Sequence, residues 1–157
     1  RGSKTGSTIY LGRSGATDEK QSTVFIGEGI ETVLSVRQAI GDHVSAYWIS
    51  SIDLGNLGGA ALATVPRGEG IKGRVPGPDP DLSKPAIVMP EWINDIALLG
   101  DGDSERVLTE NAMRRAAKRW AAKGRLIRVA WANQGQDFND MLRFSGPARA
   151  LDSVENG

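Results

Sequence analysis

Between residues 23 and 50 the chain changes its hydrophobic period twice. Thr23-Val24-Phe25-Ile26 is an unbroken apolar, β-branched run, the pattern of a strand buried on both faces of a parallel sheet. Gly27-Glu28-Gly29 interrupts it. From Ile30 to Ile40 the apolar residues Ile30, Val33, Leu34, Ala39 and Ile40 keep helical spacing, and Gly41 is a natural stop. Val44 to Ser50 reads as a second strand. Strand, helix and strand in that order form a βαβ unit, which favours an α/β architecture built on a parallel sheet.

The rest of the chain extends this pattern. Asp95 to Leu99 is a strong strand, and a long helix is expected over about Glu105 to Lys123, capped by Ser104 or Asp103 and ended by Gly124. Its apolar stripe is Leu108, Ala112, Met113, Ala116, Ala117 and Trp120, with Arg114, Arg115, Lys118 and Arg119 mostly elsewhere on its surface. Leu126 to Trp131 is the last clear strand, and a short helix follows Asp137. Weaker expectations are a short helix within Leu54 to Ala63 and a short strand at Ala86 to Met89. Residues 66–85 hold five prolines and several glycines. They are expected to form no regular element and to be a mobile insertion, in preference to a hairpin around Ile71 to Val75. Residues 1–22 are read as a linker or N-terminal extension with one short strand at Thr8 to Leu11, residues 23–143 as the domain, and residues 144–157 as a fraying tail.

Composition removes several chemistries. A length of 157 residues suits one domain. There is no cysteine, so disulfides and cysteine-ligated metals are excluded. The single histidine, His43, lies in a polar Gly41-Asp42-His43 turn, so multi-histidine metal sites are excluded as well. Lysine plus arginine balances aspartate plus glutamate at 19 each. Nucleic-acid contact must then come from a local patch or a metal ion and not from bulk charge. No apolar run approaches the roughly 20 residues of a membrane span and no signal-peptide pattern is present, so a cytoplasmic, non-membrane location is the default expectation. The chain opens on Arg1-Gly2-Ser3 without methionine, and is expected to be a piece of something longer.

The acidic residues sit where an α/β sheet binds ligands, at the carboxyl ends of strands. Glu28 follows the first core strand, Asp101 and Asp103 follow the Asp95–Leu99 strand, and Asp137 and Asp140 follow the last one. If these strands are neighbours, the carboxylates converge. Mg2+ binds through one or two carboxylates, waters and substrate phosphates. Asp101-Gly102-Asp103 can aim two carboxylates at one such ion, with Gly102 allowing the tight turn. Glu28, on a Gly-Glu-Gly turn among like charges, suits general acid–base work. Each acid also has a structural reading: Glu28 as a helix N-terminal charge, Asp-Gly-Asp as an ordinary turn, Asp137 as a helix cap.

The segments Val24 to Ser35, Ile96 to Asp103 and Gly135 to Leu142 resemble, in order, three motifs of the Toprim family in the variant carried by primase-like replication proteins of phages and plasmids. The resemblance implies a Rossmann-like Toprim fold with about four parallel strands flanked by helices. It implies nucleotidyl transfer with Mg2+ (or Mn2+), with Glu28 as general acid or base and Asp101 and Asp103 as metal ligands. Asp137 and Asp140 match further acidic positions and join Asp101 and Asp103 as candidate metal ligands. The implied activity is RNA primer synthesis from nucleoside triphosphates on single-stranded DNA, beside zinc-binding and helicase domains of a parent protein. A Toprim-type nuclease, or a non-catalytic nucleic-acid-binding or docking module, would carry the same motifs. Arg114, Arg115, Lys118 and Arg119 are the candidate phosphate contacts. One departure stands out: Thr32 occupies the position, four after the glutamate, where primases place a second acid.

Overall fold

The computed structural model describes residues 4–15 and 23–144. Five strands, β1 (Ile9–Ser14), β2 (Thr23–Gly27), β3 (Ala46–Ser50), β6 (Asp95–Gly100) and β7 (Leu126–Trp131), form one sheet in the order β1-β3-β2-β6-β7. Helices α1 (Ile30–Ile40), α2 (Leu54–Gly58) and α3 (Arg106–Ala121) flank it, and β4 (Thr64–Pro66) pairs with β5 (Arg74–Pro76) in a separate hairpin. Contacts β2–β3, β2–β6 and β6–β7 are parallel, whereas β1–β3 is antiparallel. The molecule is therefore a mixed α/β fold of Rossmann-like layering.

The apolar runs of β2 and β6 are explained by burial on both sides. Phe25, Ala97 and Leu99 face one core with Val33, Val36 and Ile40 of α1, and the Phe25 and Trp48 rings stack at 4.4 Å. Val24, Ile26, Ile96 and Leu98 face the other core with Met113, Ala116 and Trp120 of α3. Alternate residues of one strand thus feed two cores, so no polar position interrupts the run.

Two expectations for the sheet change. The sheet has five strands, not about four, and its extra edge strand is antiparallel. That strand is β1, so residues 9–14 belong to the domain and not to a linker. It is held by Arg37 of α1, whose Nη1 donates to the Leu11 carbonyl at 2.6 Å, and a register shift between Tyr10 and Gly12 bends it. At its start Gly6 N–H donates to Asn56 Oδ1 (2.7 Å) and Lys4 Nζ sits 2.5 Å from Asp53 Oδ2.

The proline-rich segment also differs from expectation. Residues 64–66 and 74–76 pair as a hairpin, close to the one set second in the sequence reading: Val65 pairs with Val75, and Ala61 bridges to Pro80, while 67–73 and 81–85 form no regular element. Prolines 66 and 76 lie at strand ends, where a missing N–H costs little. The hairpin is clamped to α3 by Arg115, whose Nη1 donates to the Gly77 carbonyl (2.5 Å) and whose Nε donates to Gly59 (3.2 Å). Asn111 Nδ2 adds a bond to the Pro76 carbonyl at 3.1 Å. Residues 86–89 form no strand, although Ile87 and Met89 are buried and Val88 is exposed. Arg125 and Trp120 take the carbonyls that a neighbouring strand would otherwise take. No helix among the described residues is long and apolar enough to cross a membrane.

Candidate functional site at the carboxyl edge of the sheet

Strands β2 and β6 are adjacent and parallel, yet the helices after them pack on opposite faces of the sheet. The chain thus diverges between these two strands, and in open α/β sheets the crevice at such a point is the usual ligand site. Gly27 of β2 is in register with Leu99 of β6, and Gly100 with Trp131 of β7. Glu28 and Asp101, the first residues beyond their strands, therefore emerge side by side, as expected from the order of the motifs.

Asp101 is the centre of the site. Its Oδ2 accepts a hydrogen bond from Thr32 Oγ1 at 2.8 Å. Among the described residues no donor meets full hydrogen-bond geometry at its buried Oδ1, although the Phe138 backbone N–H lies near enough to the carboxyl to favour its charged form. Burial, with the charges of Asp103 and Asp137, pushes its carboxyl above the ordinary range, and the bond from Thr32 opposes the rise. Glu28 is likewise raised, first by burial, then by Asp101 and Asp53, against a bond from the Leu54 backbone. Ser50 Oγ donates to the Glu28 carbonyl (2.7 Å), fixing the turn that carries the acid. Asp103 is exposed at the mouth.

The turn between the two aspartates is locked. Gly102 N–H donates to the Gln136 carbonyl (2.9 Å), and Gly135 N–H donates to Gly102 (3.0 Å). A Cβ at position 102 would overlap the carbonyl oxygens of Asn133 and Ala132. This contact carries the 132–137 loop to the site and brings Asp137 within electrostatic range of Asp101. Asp137 also caps the helical segment 138–144, its Oδ1 accepting from Asp140 N–H at 2.7 Å. The capping reading of Asp137 is thus seen, and its charge also bears on Asp101. Asp140 contributes that N–H, and no hydrogen bond or ion pair ties its carboxylate to the other acids. Asn139 Nδ2 donates to Glu31 Oε1 at 2.9 Å and pins the segment to α1.

Asp53 was not singled out in the sequence, yet it lies beyond β3 on the same edge and acts on Glu28. Its Oδ1 caps α2 through Asn56 N–H (2.8 Å), and the bond from Lys4 keeps its carboxyl below the ordinary range. The available signal was an aspartate at a strand-to-helix junction. Beside it Ile52 has φ 77°, a left-handed conformation that costs a β-branched residue roughly 1–3 kcal/mol.

The four basic residues of α3 separate. Arg114 is exposed, with Nη2 3.9 Å from Glu110 Oε2. Lys118 Nζ pairs with Asp79 Oδ1 at 2.6 Å, and Arg119 Nη2 donates to the Asp81 carbonyl at 3.1 Å. Arg115 is 1% exposed, so the expectation that it contacts a phosphate backbone is corrected: its guanidinium is spent inside the fold on hairpin carbonyls.

Among the described residues no three acidic or histidine side chains are drawn together as a ready-made metal cage. A hard cation that keeps waters and takes substrate oxygens needs only one or two carboxylates. The buried Asp101 Oδ1 and the carboxyls of Asp101 and Glu28, both raised chiefly by burial, fit such an ion. Comparisons with protein-family models, with curated proteins and with solved structures give no match. The geometry of this edge and the motifs that form it carry the functional reading.

Proposed function

We propose that this chain is the Mg2+-dependent nucleotidyl-transfer domain of a primase-like replication protein of the Toprim kind, joining nucleoside triphosphates on single-stranded DNA. The observation that carries the reading is the buried Oδ1 of Asp101 beside a raised Glu28 at the divergence point of the sheet. Asp101 and Asp103 would hold Mg2+ or Mn2+, which when bound supplies charge stabilisation to phosphoryl oxygens. Thr32 orients Asp101 through its hydroxyl. Glu28, with its carboxyl raised by burial, accepts at its side-chain oxygen the proton of the hydroxyl that attacks the α-phosphorus, and pyrophosphate leaves. The Ser50 bond and the Leu54 N–H hold it there.

Calorimetric titration with Mn2+ and Mg2+ tests the site. Binding is expected in the wild type and is expected to be lost in Asp101→Asn. Identical silence in both proteins would sink the metal reading. Ribonucleotide incorporation on single-stranded DNA, run beside nicking of supercoiled plasmid, tests the reaction. Glu28→Gln should lower incorporation by about 10²-fold or more. Metal-dependent nicking without incorporation would replace primer synthesis by hydrolysis.

A further inference from the structure

Away from the acids, two clefts join into one groove. The first, of about 520 Å3, is lined by Lys84, Arg119, Lys123 and Arg125, with no acidic side chain in its wall. The second, of about 350 Å3, is lined by Tyr10, Tyr47 and Trp92 and has no charged residue at all. Ile87, Val88 and Met89 line both, so the two clefts adjoin along this segment, where Val88 stands 80% exposed.

The charge in this groove is only partly offset: the Asp81 carboxyl is held below its ordinary range first by its bonds from Ser83 and then by the nearby charges of Lys84 and Arg119. Arg125 donates to the carbonyls of Met89, Pro90 and Ile93, and Arg119 donates to the carbonyl of Asp81. All four acceptors are neutral, so both guanidinium charges persist. Asp81 itself turns its carboxylate to Ser83. Glu91 is exposed on the same segment but lines neither cleft. In a chain with 19 cations and 19 anions, a cleft lined by four cations and no acid, with Asp81 beside two of them, keeps a net positive wall.

The aromatic half is open. Trp92 is 52% exposed and Tyr10 61%. Tyr47 meets Trp92 at 5.0 Å between ring centroids, tilted by 57°, which props the indole upright. A cationic track that leads onto open aromatic faces matches single-stranded nucleic acid, with phosphates along the cations and bases stacked on the rings. A duplex keeps its base faces covered, and an apolar peptide gains nothing from the four cations.

We infer that the Lys84–Arg125 and Trp92–Tyr10 groove binds single-stranded nucleic acid. Tyr47, Trp92 and Arg125 lie toward the end of the sheet opposite Glu28 and Asp101, whereas Tyr10, opposite Ile49 on the antiparallel β1, and Lys84, which shares a cleft with Asp53, reach toward the acidic edge. Neither of the two clefts is lined by Glu28, Asp101, Asp103 or Asp137, so the inference does not rest on the metal chemistry.

Fluorescence anisotropy of a labelled oligo-dT of about 15 nucleotides, against a duplex of equal length, tests it on the whole chain. The single strand should bind more tightly, and Trp92→Ala should weaken it by about tenfold while Trp92→Phe restores most of the loss. Lys84→Gln and Lys123→Gln should each lower the slope of log affinity against log salt by about 0.7. Binding measured in EDTA should match binding in Mg2+, which separates failure here from failure at the acidic edge. No binding at low salt, equal binding of the duplex, or indifference to Trp92→Ala and the lysine variants would overturn the inference. Self-association lost in Trp92→Ala, without oligonucleotide binding, would assign the groove to a second copy of the chain instead.

Discussion

Asp101 and Thr32 show how one substitution in a motif changes the physics of a site. A second acid at position 32 would add charge beside Asp101; the threonine gives a hydrogen bond in its place, at 2.8 Å. A bond to a charged group contributes about 1.5–3 kcal/mol. Thr32→Val should therefore raise the Asp101 pKa further and weaken Mg2+ binding by roughly tenfold. Thr32→Ser should recover most of it, as read by calorimetry and carboxyl NMR titration. The raised carboxyls also set a stability balance. Glu28 and Asp101 both have folded-state pKa values above their ordinary ones, so the fold favours their protonated forms. Their favourable contribution is present at low pH and is lost as pH rises through the folded values. At neutral pH, Glu28→Gln and Asp101→Asn should each stabilise the metal-free protein by on the order of 1 kcal/mol while removing function. Urea melts at pH 7 check this, and loss of stability in both variants would contradict it. The acids were legible in the sequence because each sits on a strand-to-helix turn. Asp53 was not, because its capping role hides its nearness to Glu28.

Helix α3 illustrates what an element's sequence conceals. Its apolar stripe and its extent were readable from periodicity, and the observed bounds Arg106–Ala121 fall inside the expected 105–123. Its basic residues looked alike in sequence and are not alike in space. Arg115 is buried because α2 and the hairpin close over it: Gly58 approaches so tightly that a Cβ there would lie 2.7 Å from the Arg115 guanidinium and 2.9 Å from Ala112 Cα. Removing that guanidinium strands buried carbonyls, so Arg115→Ala should cost about 3 kcal/mol and loosen the hairpin. Denaturant melts would show the loss, and limited proteolysis within residues 67–73 would show the hairpin opening. Unchanged cleavage there would mean that Asn111 and Lys118 suffice to dock it. A hairpin around Ile71 to Val75 stood second in the sequence reading because prolines and glycines mark turns and edges equally well. Only the partner residues on α3 decide between them.

At the scale of the whole molecule, the site exists because β2 and β6 are neighbours whose helices leave on opposite faces. If an ion binds there and not to the unfolded chain, saturation at a hundredfold over Kd should stabilise the fold by about 2.7 kcal/mol. For a chain of this size that is roughly 5–11 °C in Tm, and the shift should vanish in Asp101→Asn. The alternation of strand and helix, the limits of β2, α1, β6 and β7, and the placing of Glu28 and Asp101 at strand ends follow from local pattern. Hydrophobic period and turn residues act within a few positions, so the sequence alone suffices for them. The antiparallel edge strand β1, the docked hairpin, the burial of Arg115 and the joining of cations to aromatics over the 84–93 segment depend on residues far apart in the chain. Such contacts are selected by packing and by the need to satisfy buried polar groups, which only the folded arrangement resolves.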